Sequence, residues 1–173
     1  FIFLEVNMSY TKLLEKRPVR VKELLGANSK VCLINSRDIW SAIKDKKVII
    51  MAANTRIGHV IPGLMDAADE LDAVIGFELA KSECDLSGGY TGYTPKGFFE
   101  VVVGYAEKIK FEKPFFIHAD HTTVKTTKEE DYQSAENLIK AQLDCGYTSF
   151  SIDASFNHIP DNIKITTKLA KLV

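Results

Sequence analysis

The chain has 173 residues, of which 46% are hydrophobic and 26% charged, enough for one compact domain with a sizeable core. Its 22 basic and 23 acidic side chains leave a net charge of -1, with no basic concentration of the kind that phosphate-backbone binding needs. Nucleic acid is therefore excluded as an expected partner, and no run approaches the ~20 apolar residues that a membrane span requires.

The opening FIFLEVN is apolar but has no basic stretch before it and no small-residue cleavage site after it, so it does not read as a secretory signal. Met8 reads as the natural start, with residues 1–7 as an upstream extension. Cys32, Cys84 and Cys145 are widely spaced and lack any C-x-x-C pairing. That usage fits a reducing cytoplasm rather than a disulfide framework or a structural zinc site.

In chain order, Tyr10 to Leu25 and Ser36 to Ile43 read as helices, the first bent or split at Pro18. Four short apolar runs follow: Val48 to Met51, Ala73 to Phe77, Phe115 to Ile117 and Phe150 to Ile152. Each has the make-up of a strand buried on both faces of a parallel sheet. Helical segments separate them. Near Ile57 to Leu71 an apolar stripe is formed by Ile57, Val60, Ile61, Leu64, Ala67 and Ala68. A second helix opens with Thr94 as N-cap and Pro95 at the first helical position, and runs to Ile109. A third opens with Thr127 and Glu130 at capping-box spacing and stops at Gly146. Asp161 to Val173 is a further helical stretch. Between the second strand and the Thr94 helix, Gly88 and Gly89 predict a turn at positive φ, with Gly92 permitting a second bend.

Alternating strands and helices give an α/β fold with right-handed βαβ units and a parallel sheet. An open doubly wound sheet and a (β/α)8 barrel both satisfy the pattern. A closed barrel takes about 250 residues, so in the barrel reading a second half is expected beyond this chain.

The sharpest local feature is KPFFIHADH, Lys113 to His121, in which a buried strand runs into an acid and an imidazole at its C-terminal end. In either architecture that end is where reactive groups gather. Asp120 can serve as a general acid or base, and a neutral His121 can bind a divalent metal. Adjacent side chains of a strand point oppositely, so both can act together only if the strand ends between them; Thr122 and Thr123 predict a loop there. His118, two residues earlier, reads as a packed histidine with internally satisfied nitrogens. The fourth strand places Asp153 at the same edge, and the second ends in Glu78. Lys81, Lys113 and Lys125 read as solvated or salt-bridged.

The combination of FFIHADH, GYTSFSIDAS and DNIKITTKLA resembles the third and fourth strand regions of the class II (metal-dependent) fructose-bisphosphate and tagatose-bisphosphate aldolases, over roughly Val48 to Val173. The segment FELAKSECDLSGGYTGYTPKGFF, Phe77 to Phe99, is similar instead to the non-catalytic partner subunit of tagatose-bisphosphate aldolase. The resemblance implies a TIM barrel of which this chain holds about the first four βα units. Residues 47–173 would form that half-barrel, and residues 1–46 an N-terminal extension with helices. It implies Asp120 as the proton-transfer residue, His121 and Asp153 as metal-binding residues, and Asn54 and Glu78 near the substrate. The implied cofactor is Zn2+, completed by ligands outside this chain. The implied reaction is reversible cleavage of a ketose 1,6-bisphosphate, fructose or tagatose type, to dihydroxyacetone phosphate and glyceraldehyde 3-phosphate. The partners implied are a phosphosugar substrate and further copies in a homo-oligomer. The alternative is a stabilising subunit of the same fold without catalysis.

Overall fold

The computed structural model describes residues 12–173. The expected extension at residues 1–7, the start at Met8 and the beginning of the first helix at Tyr10 lie outside the described residues. Helix α1 is Val19–Leu25 and α2 is Ser36–Ile43. Pro18 stands immediately before α1 with φ -52° and ψ 149°, so the chain breaks there, as a residue without an N–H dictates.

Four strands follow: β1 Met51–Asn54, β2 Ile75–Ala80, β3 Phe115–Thr123 and β4 Ser149–Asp153. They form one sheet in the order β1-β2-β3-β4, with every pair parallel. The crossovers carry α3 Ile61–Glu70, α4 Pro95–Ile109 and α5 Glu129–Asp144, and α6 Ile159–Leu169 follows β4. The fold is α/β with a parallel sheet. Residues ahead of β1 also join it: Leu33 bridges in parallel to Phe115, and Phe115 donates its N–H to the Cys32 carbonyl at 3.1 Å.

Alternation along the strands divides the sheet into two faces. Phe77 and Leu79 of β2 with Phe115, Ile117 and Ala119 of β3 are buried against Ile61 and Met65 of α3 and Phe98 and Val102 of α4. The opposite face carries Gly76, Glu78, Phe116, His118 and Asp120. Its N-terminal end is closed by an apolar cluster of Cys32, Ile34, Ile39 and Phe116, with Trp40 tilted against Phe116 at 6.2 Å between ring centroids. A Cβ at Gly76 would collide with the Phe116 ring, so the glycine is what makes room for that ring.

Several local expectations are displaced. β1 begins at Met51 rather than Val48, and its burial is slight, with Ile49 97% exposed beside it. As an edge strand paired only with β2, it has no second neighbour to bury it in this chain. On α3 the inward stripe is Ile61, Met65 and Ala68, because Gly58–Val60 form a separate 3-10 turn that carries Ile57 and Val60 to the surface. The Thr94 cap is made, its hydroxyl accepting from the Gly97 N–H at 3.2 Å. The Thr127 capping box is not. Lys128 caps α5 without a side-chain bond, and Asp131 instead accepts from the Thr126 N–H and hydroxyl at 3.0 and 2.7 Å.

Candidate functional site

β3 does not end between Asp120 and His121; it runs on to Thr123. The register explains how both residues nevertheless serve one rim. Ala119 pairs with Phe150 and Thr122 with Ile152, so β3 carries one residue more than β4 across this interval, a β-bulge. His121 absorbs it at φ 42°. The extra residue cancels the alternation, and the two side chains approach, His121 Nε2 lying 3.7 Å from Asp120 Oδ1.

The C-terminal ends of all four strands then meet along one edge. Asn54 pairs with Glu78, Glu78 with His118, Ala80 with Asp120 and Thr123 with Asp153. Glu78, His118 and Asp120 each offer a ligand atom, all within 4.8 Å of one another, the one such group among the described residues. His118 Nδ1 is held 2.7 Å from the Ser149 hydroxyl, and Glu78 and His118 line a cleft of about 660 Å³ on the face turned away from α3 and α4, the inner face of the sheet. His118 is thus not simply packed: one nitrogen is satisfied by Ser149 while the ring joins the two acids.

Burial pushes the Glu78 carboxyl above its ordinary range, reinforced by the negative charges of Asp120 and Glu83. Burial also lowers His118, favouring the neutral imidazole. His121 is exposed and differently engaged: its Nδ1 lies 3.2 Å from Asp153 Oδ2, and that hydrogen bond, with the charge of Asp120, raises its pKa. Asp153 is held low, first by the Ser155 hydroxyl and N–H and then by His121. His121 and Asp153 line a second cleft of about 580 Å³ together with Lys81, Ser82, Thr123 and Lys125. Lys81 is half-buried and donates to the Thr123 carbonyl at 3.0 Å rather than standing free in solvent.

Asn54 is committed elsewhere. Its amide donates to Glu83 Oε2 at 2.7 Å, and the same carboxylate accepts from the Ala80 N–H at 2.8 Å, Tyr90 OH at 2.6 Å and Arg56 Nε at 2.5 Å. Burial by itself would push Glu83 up, yet these four donors together hold it at about 2. Sequence reasoning missed Glu83. The available signal was an acid three residues past the end of β2 and six before Gly89, with nothing local to distinguish it from Asp85.

Glu83 also fixes the glycine turn: its carbonyl accepts from the Thr91 hydroxyl at 2.6 Å, and a Cβ on Gly89, at φ 52°, would collide with its backbone. The positive φ expected at Gly88 and Gly89 is present, and Gly92, at the second bend, also has φ 81°. The donor set of Glu78, His118 and Asp120, two carboxylates and an imidazole, fits a divalent ion, whereas His121 and Asp153 form a hydrogen-bonded pair outside that group.

Residues 39–171 match the family described as D-tagatose-1,6-bisphosphate aldolase subunit GatZ/KbaZ-like. Among curated proteins, the D-tagatose-1,6-bisphosphate aldolase subunit GatZ of Escherichia coli O1:K1 / APEC is 29% identical over 93 residues, which are 51% of this chain and 22% of that protein. The GatZ subunit of Shigella flexneri serotype 5b (strain 8401) is similar to the same extent, 29% over 93 residues. Among solved structures, the crystal structure of a probable tagatose 6 phosphate kinase from Sinorhizobium meliloti 1021 superposes with a TM-score of 0.59 at 26% identity, over 71% of this chain and 34% of that one. The matched stretch is thus about a fifth of the curated relatives' length. This family is the one to which Phe77 to Phe99 points in the sequence; the class II aldolases are a related group.

Proposed function

This chain belongs to the D-tagatose-1,6-bisphosphate aldolase subunit GatZ/KbaZ-like family, and from that premise we propose that it is part of a non-catalytic subunit that stabilises a tagatose-bisphosphate aldolase. The observation that carries this reading is the span of the family match, which takes in all four strands and the loop from Lys81 to Thr94. The curated relatives matched over half of this chain are named as aldolase subunits. In this proposal the four βα units of residues 47–173 are half of a (β/α)8 barrel, with helices α1 and α2 closing one end and the rest of the complete protein supplying the other half. The partner is a catalytic aldolase subunit in the cytoplasm, so the assembly is a hetero-oligomer rather than copies of this chain alone. Among the described residues no helix is long and apolar enough to cross a membrane.

The test is reconstitution. The complete protein, supplied with zinc and a ketose 1,6-bisphosphate, is expected to produce no dihydroxyacetone phosphate by itself and to lengthen the half-life of a catalytic tagatose-bisphosphate aldolase at raised temperature. Cleavage by the protein alone would overturn the reading.

One observation favours a second reading, a metal-dependent aldolase acting on a fructose or tagatose 1,6-bisphosphate: the bulge in β3 that brings Asp120 and His121 to one rim. Zinc would there polarise the substrate ketone. Asp120 would move the proton, His121 and Asp153 would serve the metal, and Asn54 and Glu78 would lie near the sugar. Loss of turnover in Asp120→Asn with metal still bound would support this reading; no turnover in the unmutated protein would end it.

A further inference from the structure

We propose that Glu78, His118 and Asp120 form a binding site for a divalent first-row transition-metal ion on the inner face of the sheet. The resemblance places a metal on His121; the geometry points to the other imidazole of the HADH stretch. Three donor atoms from two adjacent strands lie within 4.8 Å of one another. The register that pairs Glu78 with His118 and Ala80 with Asp120 puts them on one face.

Among the described residues no lysine or arginine forms an ion pair with Glu78 or Asp120; the His121 ring lies 3.7 Å from Asp120. Two acids facing a common space with no lysine or arginine between them are stabilised by a bound cation. An imidazole with two carboxylates selects zinc, cobalt or manganese over calcium and magnesium, which take all-oxygen sets. The Ser149 hydroxyl, 2.7 Å from His118 Nδ1, orients the ring in the manner of an outer-sphere partner. Three protein donors leave coordination positions open to water or a substrate oxygen, and the cleft lined by Glu78 and His118 gives access to them.

The site does not depend on the subunit reading, and its test reads metal binding without turnover, so its failure is distinguishable from failure of that reading. The complete protein, stripped of metal, is titrated with Co2+ followed by visible absorption and with Zn2+ followed by calorimetry. One equivalent per chain is expected, with ligand-field bands. His118→Gln and Glu78→Gln are each expected to weaken binding by at least about ten-fold, Ser149→Ala by about ten-fold, and His121→Gln by less than about two-fold. Unchanged affinity in His118→Gln, or loss of the ion in His121→Gln, overturns the assignment. Should His118→Gln fail to fold, unchanged affinity in Glu78→Gln, which keeps the side-chain shape, does the same.

Discussion

The imidazole of His121 and the carboxylate of Asp153 are joined across the β3–β4 pair, Nδ1 to Oδ2 at 3.2 Å, because a one-residue bulge turns His121 back toward the neighbouring strand. The pair links the two strand ends that the sequence marks as chemical. It also makes His121 more basic than an isolated histidine.

That coupling gives a titration prediction. In the unmutated protein the His121 resonance should titrate above the ordinary value of 6.5, and in Asp153→Asn it should move down toward it. Since the folded-state pKa is the higher one, the pair contributes stability fully below the unfolded pKa and loses it as pH rises through the folded one. NMR of the ring protons measures both; an unmoved midpoint in Asp153→Asn would show that the bond is not maintained in solution.

Glu83 titrates with the opposite sign. Its folded pKa of about 2 lies below the ordinary 4.5, so its stabilisation is complete above pH 4.5 and is lost as pH falls toward 2. Glu83→Ala leaves the Asn54 amide and the Ala80 N–H without their acceptor and should cost about 2–3 kcal/mol. Urea unfolding at neutral pH is expected to show that loss, and the variant should also be less sensitive to acid between pH 4.5 and 2 than the unmutated protein.

The glycine turn offers a paired comparison. Gly89→Ala adds a Cβ against the Glu83 backbone at φ 52°, whereas Gly92→Ala, at φ 81°, meets nothing within 4 Å. The second substitution should cost about 1 kcal/mol from backbone conformation alone, and the first clearly more, about 2–4 kcal/mol, since steric displacement is added. Thermal unfolding midpoints decide it; equal losses would mean that the turn moves away from Glu83.

Gly76→Ala should be felt at a distance of two rings. The added methyl collides with Phe116, which in turn packs on Trp40. A loss of about 1–3 kcal/mol is expected, together with a change in the fluorescence of Trp40, the chain's one tryptophan. Unaltered emission would place the Phe116 ring off the sheet.

What the sequence determined by itself was whatever rests on short-range physics. Helix α2 falls on Ser36–Ile43 as its pattern predicts, the Thr94–Pro95 start is capped as its chemistry predicts, and the positive φ of the glycine turn is where the glycines are. The order of strands and helices follows from apolar runs alternating with helical periodicity, and Glu78, Asp120 and Asp153 stand just past the ends of those runs. Strand ends were less legible, because β3 continues through polar residues once its inner face ceases to be apolar.

Only the tertiary structure decided which groups meet. The bulge at His121 is a property of the register between β3 and β4, not of either strand separately. Glu83 becomes a buried hub only because Asn54, Arg56, Ala80 and Tyr90 arrive from β1, the loop that follows it, the end of β2 and the glycine turn. His118 joins Glu78 and Asp120 because parallel pairing stacks every second residue of neighbouring strands on one face. A local pattern fixes a residue's conformation; its charge environment is fixed by neighbours distant in sequence, and those are brought together by packing.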